Sequence, residues 1–230
     1  MDTNKYVVIE GVIGVGKTSM ARMLSQRWQA QTCFEIFEEN PFLTGGFYKN
    51  TPEFAFNTEV FFLLSRFRQQ RGLNAAPAES ASPLFVSDYF FEKNSIFAQL
   101  NLKGEDLEIY QSLYERFLPE IRTPDLVVFL QADLETLMRR IYFRDREFER
   151  SLSPTYLENL MNEYYRFFSS YTKAPVLTIP TTGLDFVNDP ADFKKISSLI
   201  EERLSGKIQL SLKTKERARD HSESLREAHV

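Results

Sequence analysis

The stretch Gly11-Val12-Ile13-Gly14-Val15-Gly16-Lys17-Thr18 decides the fold of this chain. It matches the pattern G-x-x-x-x-G-K-[S/T], in which glycines let the backbone curl so that its N–H groups point inward at phosphate oxygens. The apolar residues 6–10 before it are typical of a buried strand, and Met20, Leu24 and Trp28 after it recur at helical spacing. A strand, this loop and a helix in that order predict a phosphate-binding loop within an α/β fold.

The residue types within the loop predict binding of ATP with Mg²⁺. Lys17 would carry a mobile positive charge to the β- and γ-phosphates, and the Thr18 hydroxyl would face the metal ion. The candidate ATP-binding set comprises Gly11, Gly14, Val15, Gly16, Lys17, Thr18 and Ser19. The tetrapeptides D-x-x-G and N-K-x-D, which a signalling GTPase also needs, do not occur in the sequence, so a small-molecule kinase is favoured.

Length and composition indicate a soluble globular protein. The chain has 230 residues, 43% of them hydrophobic, and a net charge of −4, which is no electrostatic footprint for nucleic acid. We expect one domain over residues 1–205 and a densely charged tail over residues 206–230. A single cysteine, Cys33, excludes an internal disulfide, and no segment reads as a membrane span, so a cytoplasmic location is predicted.

Short apolar runs alternate with helical periodicity along the chain. Strands are predicted at residues 6–10, 32–36, 84–88, 125–131 and 175–179. Helices are predicted at residues 18–29, 53–70, 95–118 with a break near Gly104, 134–143, 154–171 and 192–204, and loops at residues 41–46 and 72–83. This alternation predicts an open five-stranded parallel sheet with helices on both faces.

A kinase that acts on a hydroxyl needs a carboxylate to take the proton and cations to hold the migrating phosphoryl group. Glu35 closes the second predicted strand, at the sheet edge where ligands bind in open α/β folds, and Glu38 and Glu39 compete for the same role. The cations are predicted in an Arg-rich lid that would close over the phosphates and that comprises Arg140, Arg144 and Arg146. The first two are four residues apart, hence on one helix face.

With these pieces in place, the chain resembles the family of deoxyguanosine, deoxyadenosine and deoxycytidine kinases over residues 5–204, and in pattern it is most similar to the bacterial deoxyguanosine kinase branch. The resemblance is carried by Glu35-Ile36-Phe37-Glu38-Glu39-Asn40-Pro41-Phe42-Leu43, by Phe47-Tyr48, and by residues 56–66, 87–98 and 140–149. It implies the P-loop kinase fold, phosphoryl transfer from ATP to the 5′-hydroxyl of a deoxynucleoside, and a homodimer formed by helix packing.

The resemblance also implies a role for each matching residue. Glu35 stands at the place of the general base, and Tyr48 and Glu149 match the pair that holds the sugar 3′-hydroxyl and disfavours a ribose. The matching base site comprises Glu59, Arg66, Asn94 and Phe97. The loop that would contact the adenine of ATP comprises Asp185 and Phe186.

The sequence departs from the family pattern after the third strand. Asp88-Tyr89 stands where the family usually has an acidic residue followed by arginine. Asp88 can still lie near Mg²⁺ together with Thr18, but Tyr89 brings no positive charge to the phosphates. We expect the lid arginines to supply that charge.

A second departure concerns the base, because Glu59 occupies a position where the family commonly has glutamine. An ionised carboxylate only accepts hydrogen bonds, which suits the N1–H and N2–H donors of guanine and not the N1 lone pair of adenine. Arg66, two turns along the same helix face, can donate to guanine O6 and N7. The residues predict a preference for deoxyguanosine, with deoxyadenosine or a broad range of deoxynucleosides as the alternative.

Two other functions stay open at this point. A nucleoside monophosphate kinase similar to thymidylate kinase shares the loop and the lid, and Arg66 or Arg68 could hold its acceptor phosphate. The second alternative is a regulator that binds a nucleotide without catalysis, although the complete Lys17-Thr18 pair and the lid argue against it. The three functions differ in the acceptor that leads to ADP release: a nucleoside for the nucleoside kinase, a monophosphate for the monophosphate kinase, and neither for the regulator.

Arg144→Ala is expected to lower kcat by more than about tenfold, because cations that hold a migrating phosphoryl group normally contribute at least that much. Steady-state kinetics of ADP release measures the loss. A smaller decrease would contradict the role of the lid arginines as the replacement for the missing arginine.

Overall fold

The computed structural model describes residues 5–74 and 84–206. Its strands are β1 (Lys5–Glu10), β2 (Gln31–Cys33), β3 (Leu84–Ser87), β4 (Leu126–Gln131) and β5 (Val176–Pro180). They lie in the order β2-β3-β1-β4-β5, and each neighbouring pair is parallel. The predicted open five-stranded parallel sheet is confirmed.

Helices follow the strands as the alternation predicted. In the described residues they are α1 (Lys17–Trp28), α2 (Pro41–Thr44), α3 (Thr51–Asn74), α4 (Lys93–Asn101), α5 (Gly104–Phe117), α6 (Leu134–Arg144), α7 (Pro154–Ser170) and α8 (Pro190–Leu204). The predicted helical region 95–118 is divided into α4 and α5, since Leu102 and Lys103 between them are extended. The break therefore lies just before Gly104, as expected.

The prediction of a loop at residues 41–46 is wrong in part, because α2 lies there. The side chain of Asn40 accepts hydrogen bonds from the backbone N–H groups of Phe42 and Leu43, at 3.1 and 3.2 Å. Pro41 occupies the first helical position, where its fixed φ and missing N–H cost nothing. A capping residue followed by proline was the sequence signal for this short helix.

The two largest of the other boundary differences concern β2 and α3. β2 ends at Cys33, so Glu35 lies in the loop after the strand instead of within it. α3 continues to Asn74, so residues 72–74 of the predicted connection are helical. The remainder of that connection, residues 75–83, and the predicted tail after residue 206 lie outside the described residues.

β1 and β4 are buried on both faces, because helices cover both sides of the sheet. Val7 and Ile9 of β1 pack with Leu24 of α1 in the large hydrophobic core. Val8 of β1 and Val127 of β4 point to the opposite face and pack in a second cluster. Near-continuous apolar strands are typical of such two-sided burial, which explains why periodicity of two is absent from them. No helix in the described ranges is both long and apolar enough to cross a bilayer.

The sheet order places a crevice beside the phosphate loop. β1 and β3 are neighbours, and the chain leaves them toward opposite edges of the sheet, to β2 and to β4 respectively. At such a switch point, the carboxyl ends of parallel strands open a ligand-binding crevice. The phosphate loop follows β1 and Asp88 follows β3, so both lie at this crevice.

Leu24→Ala is expected to lower the free energy of unfolding by about 2–5 kcal/mol, because the side chain is fully buried between α1 and the sheet. Urea unfolding followed by circular dichroism measures the change. Gln26→Ala, on the exposed face of the same helix, is the matched control and should stay within about 0.5 kcal/mol of the parent. An equal effect of the two substitutions would contradict the packing of α1 on the sheet.

Candidate active site

The phosphate loop has a backbone that only glycine adopts easily. The φ angles of Gly14 and Gly16 are +87° and +101°. A Cβ atom on Gly14 would lie 2.9 Å from the carbonyl oxygen of Leu137, and one on Gly16 would lie 2.6 Å from the ring of Phe186. Both positions therefore require glycine for conformation and for space.

Lys17 rests against the backbone of the loop. Its ammonium donates to the carbonyl oxygens of Gly11 at 2.7 Å and Val12 at 3.2 Å. Burial lowers the pKa of Lys17 to about 8, and the positive charge of Lys93 acts in the same direction. Phosphate oxygens bound in the loop would reverse this effect by stabilising the ammonium form.

Thr18 and Asp88 are in contact at the carboxyl ends of β1 and β3. The Thr18 hydroxyl donates to Asp88 Oδ2, and Asp88 Oδ1 accepts from the backbone N–H of Glu35 at 2.8 Å. A hydroxyl and a carboxylate are hard oxygen ligands that suit Mg²⁺, whose other positions are filled by water and phosphate oxygens. The two residues therefore fit the predicted metal ion.

Glu35 is held between two cations. Its Oε1 accepts from Arg66, with Nη2 at 2.5 Å and Nε at 2.8 Å, and its Oε2 accepts from Lys93 Nζ at 2.7 Å. Burial opposes the ionisation of Glu35, but the charges of Lys93 and Arg66 outweigh burial and hold the pKa of the carboxyl well below its usual range. Glu38 and Glu39, the competing candidates, are exposed and point no carboxylate into the cavity described below.

Two arginines of the predicted lid contact Glu149, which is a candidate for binding the sugar. Its Oε2 accepts from Arg144 Nη2 at 2.6 Å, and its Oε1 lies 3.6 Å from Arg146 Nη1. The Arg146 guanidinium also lies 4.0 Å from the ring centroid of Phe37. Tyr48 lines the same cavity as these groups. The structure thus brings two of the three lid arginines together with the residues expected to hold the 3′-hydroxyl.

Glu59 is more deeply buried than the sequence indicated. It is 1% exposed and is not among the cavity-lining residues. Its Oε1 accepts from Asn101 Nδ2 at 2.8 Å, whereas its buried Oε2 has no hydrogen-bond partner. Burial raises the pKa of Glu59 to about 7, so neutral and ionised forms coexist near neutral pH. The carboxyl was expected to be ionised, whereas burial in the folded protein favours its neutral form.

Arg66 connects the acceptor side to the base side. Besides its bonds to Glu35, it donates through Nη1 to Asn94 Oδ1, which joins two residues of the expected base site. Its guanidinium carbon also lies 4.6 Å from the ring centroid of Phe62. Phe97 lines the cavity nearby, where its ring is available for stacking on a base.

Arg140 lies apart from the other lid arginines. Its guanidinium donates to backbone carbonyl oxygens of Val15 at 3.2 Å, Thr181 at 3.1 Å and Leu184 at 2.9 Å. Phe186, expected to contact adenine, is 2% exposed and packs against the phosphate loop, and Asp185 accepts hydrogen bonds from Asn188. None of the three lines the cavity, since the loop after β5 folds behind the phosphate loop. In this arrangement they support the loop.

A cavity of about 300 Å³ unites the acceptor-side groups with the phosphate loop. Of the candidate residues it is lined by Gly14, Gly16, Lys17, Thr18, Ser19, Glu35, Tyr48, Arg66, Asp88, Phe97, Arg144, Arg146 and Glu149. The candidates that do not line it are Gly11, Val15, Glu59, Asn94, Arg140, Asp185 and Phe186. One concave site therefore offers phosphate-binding, proton-accepting and stacking groups.

Lys93 and Glu10 are buried charged residues beside the site that the sequence did not single out. Lys93 is 5% exposed and binds Glu35. Glu10 is fully buried, and it accepts hydrogen bonds from the backbone N–H groups of Gly11 at 2.8 Å and Phe90 at 2.9 Å and from the Tyr164 hydroxyl at 3.0 Å. For Glu10 the available signal was its place directly after an apolar run, because charged residues are seldom buried without a partner.

A glycine-rich phosphate loop that opens onto a cation-bound carboxylate defines a P-loop kinase, the class of enzyme that transfers a phosphoryl group to a small acceptor. Comparison with known proteins narrows this class. The family described as "Deoxynucleoside kinase" matches residues 7–205, and the chain belongs to this family. It is a deoxynucleoside kinase, a phosphotransferase.

Relatives within the family differ in the base they accept. Deoxyguanosine kinase of Bacillus subtilis (strain 168) is 35% identical over 206 residues, which cover 88% of this chain and 99% of that protein. Deoxyadenosine/deoxycytidine kinase of the same strain is 30% identical over 201 residues, covering 84% and 90%. The structure of deoxyadenosine kinase from M. mycoides with bound dATP shares the fold, with a TM-score of 0.74 at 21% identity over 86% of this chain and 100% of that chain.

Glu59→Gln is expected to gain stability relative to the parent as the pH rises from about 4.5 to about 7. Over this pH range the Glu59 carboxyl loses its proton in the unfolded parent but keeps it in the folded parent. The free energy of unfolding of the parent therefore falls, on the order of 3 kcal/mol in total. Glutamine does not titrate and escapes this loss. Urea unfolding of both proteins at pH 5, 6, 7 and 8 measures the difference, with the exposed Glu53→Gln on the same helix as control. A difference that does not change with pH would contradict the raised pKa of Glu59.

Proposed function

We propose that this kinase transfers the γ-phosphoryl group of ATP to the 5′-hydroxyl of a deoxynucleoside and prefers deoxyguanosine. The observation that carries the proposal is the cavity in which Lys17 and Thr18 of the phosphate loop face Glu35. A hydroxyl that enters between them would meet a carboxylate on one side and the γ-phosphate on the other. Holding both reactants in this way is the main source of catalysis in phosphoryl transfer.

Glu35 would accept the proton of the 5′-hydroxyl while its oxygen attacks the γ-phosphorus. A P–O bond to the acceptor forms, the bond from the γ-phosphorus to the bridging oxygen breaks, and ADP leaves with that electron pair. The depressed pKa keeps Glu35 ionised at neutral pH. Such a carboxylate is a weak base, which suffices for a loose transition state in which the proton moves late.

The charge of the migrating group would be balanced by cations that line the cavity. Lys17 comes from the phosphate loop, and Arg144 and Arg146 come from the lid. Mg²⁺ held by Thr18 and Asp88 would supply further positive charge at the phosphates. Arg140, which is bound to backbone carbonyls, is assigned to support of the phosphate loop.

The sugar site is supported by the packing of Tyr48. Its ring lies edge-on to Phe47, with centroids 5.0 Å apart, and to Tyr156 at 5.5 Å. A ring held by two neighbours cannot easily move aside for a 2′-hydroxyl, which favours a deoxyribose. Glu149, on the same cavity wall, would accept the 3′-hydroxyl.

The preference for guanine is supported by Glu59 and Arg66. Glu59 does not line the cavity, but its buried Oε2 has no partner and would be satisfied by a ligand donor that reaches it. Guanine N1–H and N2–H would favour the ionised form of Glu59, whereas the N1 lone pair of adenine would require the neutral form. Arg66 carries five N–H donors, and its bonds to Glu35 and Asn94 leave capacity for O6. The 35% identity to a deoxyguanosine kinase supports the same choice.

A nucleoside monophosphate kinase is less well supported. Of the two arginines that the sequence offered for its acceptor phosphate, Arg66 is already paired with Glu35. Arg68, the other candidate, is exposed and does not line the cavity. Assembly as a homodimer and a cytoplasmic location stay predictions of the sequence.

Initial rates of ADP release with ATP and Mg²⁺ are expected to be highest with deoxyguanosine when it is compared with deoxyadenosine, deoxycytidine, thymidine and dGMP. Glu59→Gln should move kcat/KM toward deoxyadenosine, because glutamine offers a donor to adenine N1. Glu53→Gln on the same helix is the control. A higher kcat/KM for deoxyadenosine in the parent protein would refute the guanine preference, and activity on dGMP alone would refute nucleoside phosphorylation.

A further inference from the structure

The residue after Asp88 cannot provide a cation to the site. Tyr89 is fully buried, and its hydroxyl lies 3.4 Å from the Cys33 sulfur. Its carbonyl oxygen accepts a hydrogen bond from Ser87 Oγ at 2.7 Å, and its side chain does not line the cavity. Tyr89 therefore points away from the cavity, and any positive charge on the acceptor side comes from other elements.

Lys93 brings a charge to that side from the first turn of α4. It lines the cavity together with Lys17, Thr18 and Asp88, although it is 5% exposed. Its Nζ lies 2.7 Å from Glu35 Oε2 and 5.4 Å from the ring centroid of Phe97. A buried lysine is rare unless it is paired, and this one is paired with the carboxylate that faces the acceptor hydroxyl.

Three arginines of the same cavity, Arg66, Arg144 and Arg146, also have partners within the protein. Arg66 donates to Glu35 and to Asn94. Arg144 donates twice to Glu149, and Arg146 lies over the Phe37 ring. An ammonium has three donors, so the bond from Lys93 to Glu35 uses only one of them. Lys93 is thus suited to bind a second oxygen ligand next to Glu35.

The position of Glu35 limits the distance between Lys93 Nζ and the oxygen of the acceptor hydroxyl. An acceptor hydroxyl must come within about 2.6–3.2 Å of the carboxylate that takes its proton. A hydroxyl bound to Oε2, the oxygen that accepts from Lys93, would then lie no more than about 6 Å from Lys93 Nζ. The migrating phosphorus becomes bonded to that oxygen, so its own oxygens come within reach of a rotated lysine side chain.

We propose that Lys93 is a catalytic residue, which binds an oxygen of the migrating phosphoryl group on its acceptor side and supplies the positive charge that Tyr89 lacks. This rests on the proposed function. Lys93 stays protonated throughout, because the proton of the hydroxyl goes to Glu35 and the electron pair of the broken bond leaves with ADP. A cation aimed at the charge that spreads over the equatorial oxygens stabilises the transition state more than the ground state.

Lys93→Met tests the proposal with the full chain, ATP and deoxyguanosine. The substitution keeps the length of the side chain and removes its charge, so kcat should fall by about 100-fold or more. KM for ATP should stay within about threefold, because the phosphate loop is unchanged. Lys93→Arg should recover activity to within about tenfold of the parent. Lys103→Met, at the exposed start of α5, is the matched control and should behave as the parent.

A second measurement separates direct action from positioning of Glu35. In a Glu35→Gln background, Lys93→Met should lower the residual kcat by about tenfold or more, because the phosphoryl contact does not depend on the carboxylate. No further loss in this background would show that Lys93 acts only through Glu35 and would overturn the proposal. Thermal unfolding and ATP binding by calorimetry identify any variant that does not fold. If Lys93→Met does not fold, the activities of Lys93→Gln and Lys93→Arg are compared instead.

Failure of the two proposals can be told apart. A parent protein that releases no ADP with any deoxynucleoside would refute the proposed function and, with it, the role of Lys93. An active parent whose Lys93→Met variant keeps kcat within about threefold would refute the role of Lys93 alone.

Discussion

A carboxylate buried between two cations holds the active site together. Glu35 comes from the loop after β2, Arg66 from α3 and Lys93 from α4, and hydrogen bonds of 2.5 to 2.8 Å join them. Removing one partner of such a group would leave the others charged and unpaired away from water, which typically costs about 3–5 kcal/mol. The three elements are therefore held in one arrangement. Because the same residues line the cavity, local stability and the geometry of the proposed active site depend on the same ion pairs.

A second buried carboxylate organises the phosphate side. Glu10 at the end of β1 binds the backbone N–H groups of Gly11 and Phe90 and the Tyr164 hydroxyl, so it connects the phosphate loop to the segment after β3 and to α7. From the opposite side, Arg140 donates to the Val15 carbonyl. A loop held in this way needs little rearrangement when phosphates bind, which is the physical basis of electrostatic preorganisation.

Local features of the sequence predicted most of the fold and the phosphate-binding half of the site. The glycines of the loop are required by backbone angles that other residues rarely adopt, and apolar runs of five to seven residues are required by strands buried on both faces. Such requirements act within a few residues, so they leave a pattern that can be read along the chain. The errors fell where a local signal was weaker, as at Asn40-Pro41, whose capping role starts α2, and at residues 72–74, where α3 continues past Gly72.

The acceptor half of the site was decided by contacts between segments far apart in the chain. The sequence left Glu38 and Glu39 in competition with Glu35, and the contacts of Glu35 with Arg66 and Lys93, 31 and 58 residues away, distinguish it in the structure. Arg140 and Arg144 share a helix face, but Arg140 binds Val15 of the phosphate loop whereas Arg144 binds Glu149. The pKa of Glu59, which decides whether it acts as an acceptor, was set by burial. Hydrogen bonds and desolvation depend on distances of a few ångströms, and only the packed tertiary structure determines those distances.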